Sequence, residues 1–176
     1  MIVVRSETEA DHEAIFELTR TAFADHQFSS HTEHFIIDRL RRAGALSVSL
    51  VAQKQGAVAG HIAFSPVAIS DGSSGWYGLG PVSVLPELQG AGIGTLLVNA
   101  GLNALKARGA QGCVVVGEPR FYTRFGFRRM QALVLEEIPP EYFMAVPLGR
   151  EGGEDREGRE VAAGSVAYHE AFAARE

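Results

Sequence analysis

Three alternating glycines, Gly90, Gly92 and Gly94, lie in the segment Gln89-Gly90-Ala91-Gly92-Ile93-Gly94-Thr95, between two apolar runs. Glycine reaches backbone conformations that a β-carbon disfavours, so successive N–H groups can converge on one point. The apolar stretch that follows reads as a helix, which adds its own unpaired N–H groups and the positive end of its dipole. The chemistry of such a turn is anion binding, and a pyrophosphate fits the concavity.

The residues missing from this segment narrow the anion. A triphosphate-binding loop needs a Lys before its Ser or Thr, and here Gly94 precedes Thr95 directly. A dinucleotide site needs Gly-x-Gly-x-x-Gly and an acidic residue about 20 positions on, at the end of a second strand. The spacing here is Gly-x-Gly-x-Gly, and the next apolar strand, Val114-Val115-Val116, runs into Gly117 with Glu118 only beyond it.

A second block, Gly117-Glu118-Pro119-Arg120-Phe121-Tyr122-Thr123-Arg124-Phe125-Gly126-Phe127, follows that strand. Pro119 suits a first helical turn, where its missing N–H costs nothing, and Gly126 suits a helix stop. Together, in this order, the glycine turn and the Tyr-bearing block resemble the GNAT superfamily of acetyl-CoA-dependent N-acetyltransferases. The Leu79-Gly80-Pro81 lead-in and the Arg124-Phe125-Gly126-Phe127 close are similar to those of its small bacterial members.

The resemblance implies an α/β (α+β) chain with a central, mixed, mostly antiparallel sheet, splayed middle strands and flanking helices. It further implies that backbone groups of Val82, Ser83 and Val84 hold a pantetheine arm. The backbone of Gln89, Gly90, Ala91, Gly92, Ile93, Gly94 and Thr95 then holds the pyrophosphate of acetyl-CoA, the cosubstrate. Catalysis is by direct attack of an amine on the thioester in a ternary complex, with no metal and no acetyl-enzyme. Two other functions stay open: a coenzyme A-binding regulatory module without catalysis, and an acetyltransferase acting on a protein or on aminoacyl-RNA.

Two protons must move in that reaction. An alkylammonium with a pKa of about 10.4 is neutral to less than about one part in a thousand at pH 7, so something must take its proton. The departing thiolate must receive one. Tyr122 matches the position from which the superfamily often protonates the thiolate. The strand over 77–85 carries no carboxylate, which leaves Glu118 as the candidate base, against a helix-capping or substrate-binding role. His31 and His34 have the spacing to share a helix face in the region expected to shape the acceptor pocket. His61 reads as a structural residue with one satisfied nitrogen, and Cys113 as a packed core thiol.

These residues need a scaffold, and the chain supplies alternating strand and helix patterns. A strand at the N-terminus is followed by Thr8-Glu9-Ala10-Asp11, a capping-box spacing, and by a helix carrying Ala14, Ile15, Leu18 and Phe23 at helical intervals. A second helix runs from about Thr32 to Gly44, with Arg39, Arg41 and Arg42 on a solvated face. Strands are expected over 46–53, 58–69 and 77–85, the first two joined at Gln55-Gly56. A helix over 95–108 ends at Gly109, and late strands are expected over 132–136 and 142–148 and a last one over 165–172. Residues 1–148 are read as the catalytic domain. Residues 149–176 are read as a charged loop and a strand completing it, with the late strands able to pair across a homodimer.

Composition fits a globular enzyme: 46% hydrophobic and 21% charged residues over 176 positions. A net charge of −5 disfavours bulk nucleic-acid binding and favours a cationic small-molecule amine. No run reaches the length of a membrane span, no signal peptide opens the chain, and a single cysteine cannot form an intrachain disulfide. A cytoplasmic enzyme with no membrane partner is the expectation.

Overall fold

The computed structural model describes residues 1–27, 29–149 and 162–173. Most of the charged stretch expected over 149–160 therefore lies outside the described residues. The chain forms two compact units: Met1–Ser65 with Leu79–Ala104 and His169–Glu176, and Pro66–Gly78 with Leu105–Tyr168. Both are mixed α/β, with mostly antiparallel strands flanked by helices.

In the first unit β1 (Ile2–Ser6) pairs antiparallel with β2 (Val48–Lys54), and β2 with β3 (Ala57–Pro66). The β2–β3 hairpin turns at Gln55 and Gly56, with φ of 51° and 80°. Two successive left-handed residues give a turn whose twist matches the strands. A register shift between Ala52 and Gln53 leaves Ala59 of β3 without a partner, a bulge in that strand. The part of β5 (Trp76–Val84) that belongs to this unit lies beside β3, and the Leu85 N–H donates to the Ala59 carbonyl at 3.0 Å.

Helices α1 (His12–Phe23) and α2 (Glu33–Arg42) bury Ile15 and Ile37 against Val51 on one sheet face. Helix α3 (Ile93–Ala107) covers the other: a β-carbon on Gly60 would stand 3.0 Å from Ile93 and Leu97, and Phe64 fills the space beside Gly101. The expected capping box forms on the 3-10 turn Glu9–Asp11 that leads into α1. Asp11 accepts from the Thr8 N–H at 2.7 Å and takes both Arg5 guanidinium nitrogens at 2.7 and 2.9 Å, ahead of the helix.

In the second unit β6 (Gly112–Val116) pairs antiparallel with β8 (Phe143–Pro147). The expected strand over 58–69 is in fact two: after β3, a short β4 (Ala68–Ile69) joins β9 (Gly164–Ala167) and β7 (Leu133–Val134) in a separate three-stranded sheet. Thus the last strand pairs antiparallel with β4 and parallel with β7, and residues 170–173 form a 3-10 turn instead of extending it. Trp76, Val114, Leu133, Phe143 and Val166 form the core of this unit. The Trp76 ring lies where a side chain on Gly112 would have to go.

Candidate active site

The glycine turn belongs to the first unit. After β5, Pro86–Leu88 make one 3-10 turn, and the Gln89 side-chain amide donates back to the Val84 carbonyl at 3.1 Å. That bond ties the turn to the strand end. Gly90 and Gly92 take φ of 81° and 89°, in the left-handed region that favours glycine, and a β-carbon on either would meet nothing within 4 Å. Backbone conformation therefore demands these glycines, and the space above them is open.

Gly94 departs from the expectation. Helix α3 begins at Ile93, two residues before the expected start, so Gly94 and Thr95 already lie in its first turn, and Gly94 has no left-handed φ. Two glycines shape the turn, and the third lies within the helix. The Leu96 N–H bonds the Gly92 carbonyl at 3.1 Å, so the N–H groups of Ile93, Gly94 and Thr95 precede the first intrahelical bond and have no acceptor inside the helix. The first turn of α3 holds no acidic residue to offset its positive end. Upstream, Val82 and Val84 are half-buried, while Ser83 is buried with its hydroxyl unpartnered.

The Tyr-bearing block belongs to the second unit. Pro119 opens the short helix α4 (Pro119–Tyr122), and Gly126 closes the following 3-10 turn at φ 92°. Both follow the sequence pattern. Tyr122 is buried, edge-on to Phe121 at 4.9 Å and to Phe127 at 5.8 Å. Burial, and secondarily the nearby Cys113, pushes its phenol up to about 12. Against a thiol near 8.5, full proton transfer from this phenol is uphill by roughly 5 kcal/mol, so its accessible chemistry is hydrogen-bond donation.

Glu118 occupies the N-cap position of α4, yet its carboxylate makes no capping bond and is exposed. The capping role weighed for it is not used. Cys113 is fully buried in β6, as a core thiol should be.

The histidine pair in the helix-two region does not form as spaced. His31 sits before α2 in a left-handed conformation, φ 60°, with Nδ1 2.9 Å from the Phe23 carbonyl, whereas His34 is buried against Phe16 and Phe35. Burial lowers the His34 pKa. Arg41 likewise leaves the solvated face assigned to it, because it binds Glu7 and Asp38. Among the described residues no group of three or more His, Cys, Asp or Glu is placed to hold a metal ion, and no helix is long and apolar enough to cross a membrane.

The sequence model of the Acetyltransferase (GNAT) family matches residues 12–127. Among proteins, the chain is 35% identical to the uncharacterized N-acetyltransferase YhbS of Escherichia coli K12 over 127 residues, covering 72% of this chain and 73% of that protein. Among solved structures, a GNAT family acetyltransferase from Brucella melitensis in complex with acetyl-CoA is 42% identical, with a TM-score of 0.82 and 98% of both chains covered. The structure of YhbS from Escherichia coli in complex with CoA gives 31% identity and a TM-score of 0.84, covering 98% of this chain and 92% of that one.

Proposed function

The chain belongs to the GNAT acetyltransferase family, and from that premise we propose that it moves the acetyl group of acetyl-CoA to a small-molecule amine by direct attack. The observation that carries the donor half is the turn at residues 89–95. Two left-handed glycines open onto free space beneath a helix start that has unpaired N–H groups and no acidic neighbour. Such a cradle suits a pyrophosphate, and the solved relatives titled as complexes with acetyl-CoA or CoA support that ligand.

When bound, acetyl-CoA supplies the acyl thioester that the amine attacks. The chain's own residues bind and orient. Backbone groups of Val82, Ser83 and Val84 would align the pantetheine arm, and the N–H groups from Gln89 to Thr95 would hold the phosphates. Tyr122 would donate a hydrogen bond to the leaving sulfur. Glu118, exposed and four positions before Tyr122, is the carboxylate proposed to meet the amine. The same reading places the enzyme in the cytoplasm, with a homodimer through its late strands as the assembly to look for.

Isothermal titration with acetyl-CoA, followed by free-thiol release across a panel of amines, amino acids and polyamines, tests the proposal. Micromolar binding with amine-dependent thiol release is the expected result. Absence of binding at millimolar coenzyme overturns it.

A further inference from the structure

The second unit holds a cavity of about 100 Å³. Met130, Leu133, Val134, Ile138 and Phe143 line it, and the charged residue among its walls is Arg129. Leu133 and Phe143 are buried, whereas Val134 and Arg129 are exposed, so the cavity opens to solvent. The stretch that supplies Ile138 and Pro140 is stiff: Glu137 is held left-handed at φ 69°, and Pro139 and Pro140 have φ fixed by their rings. The cavity is therefore preformed.

This cavity adjoins the end of β6. Phe143 is the register partner of Val116, and residues paired across two strands project on the same face of the sheet. Val116 is 40% exposed there, an apolar side chain left uncovered. The Gly117 N–H then donates to the Tyr142 carbonyl at 3.0 Å, which ties Gly117, the residue before the exposed Glu118, to the chain that walls the cavity. The Tyr122 ring packs on the same Gly117. Three successive positions thus join the uncovered apolar side chain, the glycine that seats Tyr122 and the carboxylate proposed to meet the amine.

Size and charge select the occupant. An apolar cavity of about 150 Å³ accepts benzene, so one of about 100 Å³ takes a branched aliphatic or thioether side chain and not an aromatic ring. Among the described residues no carboxylate lines it: Glu136, Glu137 and Glu141 belong to the same stretch of chain but not to its walls. The second ammonium of a polyamine would find no partner there. The Arg129 guanidinium is exposed and makes no ion pair with the described residues, so it is free to take a carboxylate through two parallel hydrogen bonds.

Resting on the acetyltransferase reading, we propose that the acceptor is an aliphatic α-amino acid of the leucine or methionine class, with its side chain in this cavity, its carboxylate on Arg129 and its amine toward Glu118. In balance, the nitrogen bonds the acetyl carbon and the bond from that carbon to sulfur breaks. The ammonium nitrogen gives up two protons, of which one ends on the coenzyme A sulfur and the other in solvent. The products are the N-acetyl amino acid and free coenzyme A.

The test measures thiol release by the full chain with acetyl-CoA and, in turn, L-leucine, L-methionine, L-phenylalanine, spermidine, and 3-methylbutylamine, which is leucine without its carboxylate. Leucine or methionine should give the highest kcat/KM, with 3-methylbutylamine about tenfold or more below leucine, the size of one charge-assisted contact. Arg129→Gln should cut the preference for leucine over 3-methylbutylamine about tenfold. Val134→Phe places a ring at an exposed strand position and fills the cavity, so KM for leucine should rise about tenfold or more while acetyl-CoA affinity holds. Methyl NMR of the wild-type protein with CoA should show the Met130, Leu133 and Val134 signals shifting as L-leucine is added.

Phenylalanine, spermidine or 3-methylbutylamine as the best acceptor, an Arg129→Gln enzyme with the wild-type preference, or lining methyls that millimolar L-leucine does not shift would each overturn the assignment. If Val134→Phe does not fold, Arg129→Gln and the NMR measurement decide. Turnover of other amines with leucine inert removes the amino-acid acceptor alone. A wild-type chain that neither binds acetyl-CoA nor releases thiol with any amine refutes the acetyltransferase reading itself, which is a different result, and the acceptor falls with it.

Discussion

The ring of Tyr122 occupies the space that a β-carbon on Gly117 would need. The glycine just after β6 is therefore a packing requirement of the tyrosine. Gly117→Ala should push the ring out of place, cost about 1–3 kcal/mol of stability as an overpacked site, and lower kcat while acetyl-CoA affinity stays within about twofold. Stopped-assay thiol release and titration calorimetry on the same variant check both halves. Unchanged turnover would mean that the position of Tyr122 does not matter.

Tyr122→Phe removes the hydroxyl and keeps the packing against Phe121 and Phe127. In the proposed role a phenol held at about 12 would donate a hydrogen bond to the sulfur without giving up its proton, so the expected loss is about 10- to 100-fold in kcat, the size of one charge-directed hydrogen bond. Coenzyme affinity should hold. The alkaline limb of the wild-type rate profile, if one exists below pH 11, should persist in the variant, because Tyr122 does not titrate there.

Gly92 tests the phosphate cradle. Its φ of 89° already strains any other residue by about 1–2 kcal/mol, and Gly92→Glu also places a negative charge where the pyrophosphate is proposed to sit. Acetyl-CoA binding should weaken at least 100-fold by calorimetry, with the fold intact by circular dichroism. Full affinity in this variant would place the phosphates elsewhere.

The turn and the Tyr-bearing block were legible in the sequence because each depends on local rules: glycines with positive φ, a proline at a first helical turn, a glycine stop. Gly94 shows the limit of that reading, since nothing local distinguishes a glycine shaping a turn from one inside the next helix. The small sheet of β4, β9 and β7 was not legible, because its pairs join residues near 68, 133 and 165 and local patterning carries no register. His61 was read as satisfied at one nitrogen, which the structure bears out. Its partners Ser49 and Glu7 lie 12 and 54 positions away, and only folding brings them together.

The same histidine makes the fold acid-sensitive. Burial, against the pull of Glu7 and with the help of Arg41, lowers its pKa from 6.5 to about 4. A depressed imidazole is neutral in the fold and charges more readily when unfolded, so its contribution is complete above pH 6.5 and is lost as the pH falls toward 4. That window corresponds to roughly 3 kcal/mol. Glu7, whose folded pKa is also lowered, loses its contribution in the same direction but below the ordinary carboxylate range. Urea unfolding at pH 7, 5.5 and 4.5 should show stability falling steadily, and His61→Gln should flatten the fall between pH 6.5 and 4.5 while leaving the steeper decline below it. Parallel curves for the variant and the wild-type protein would show that His61 is not held neutral.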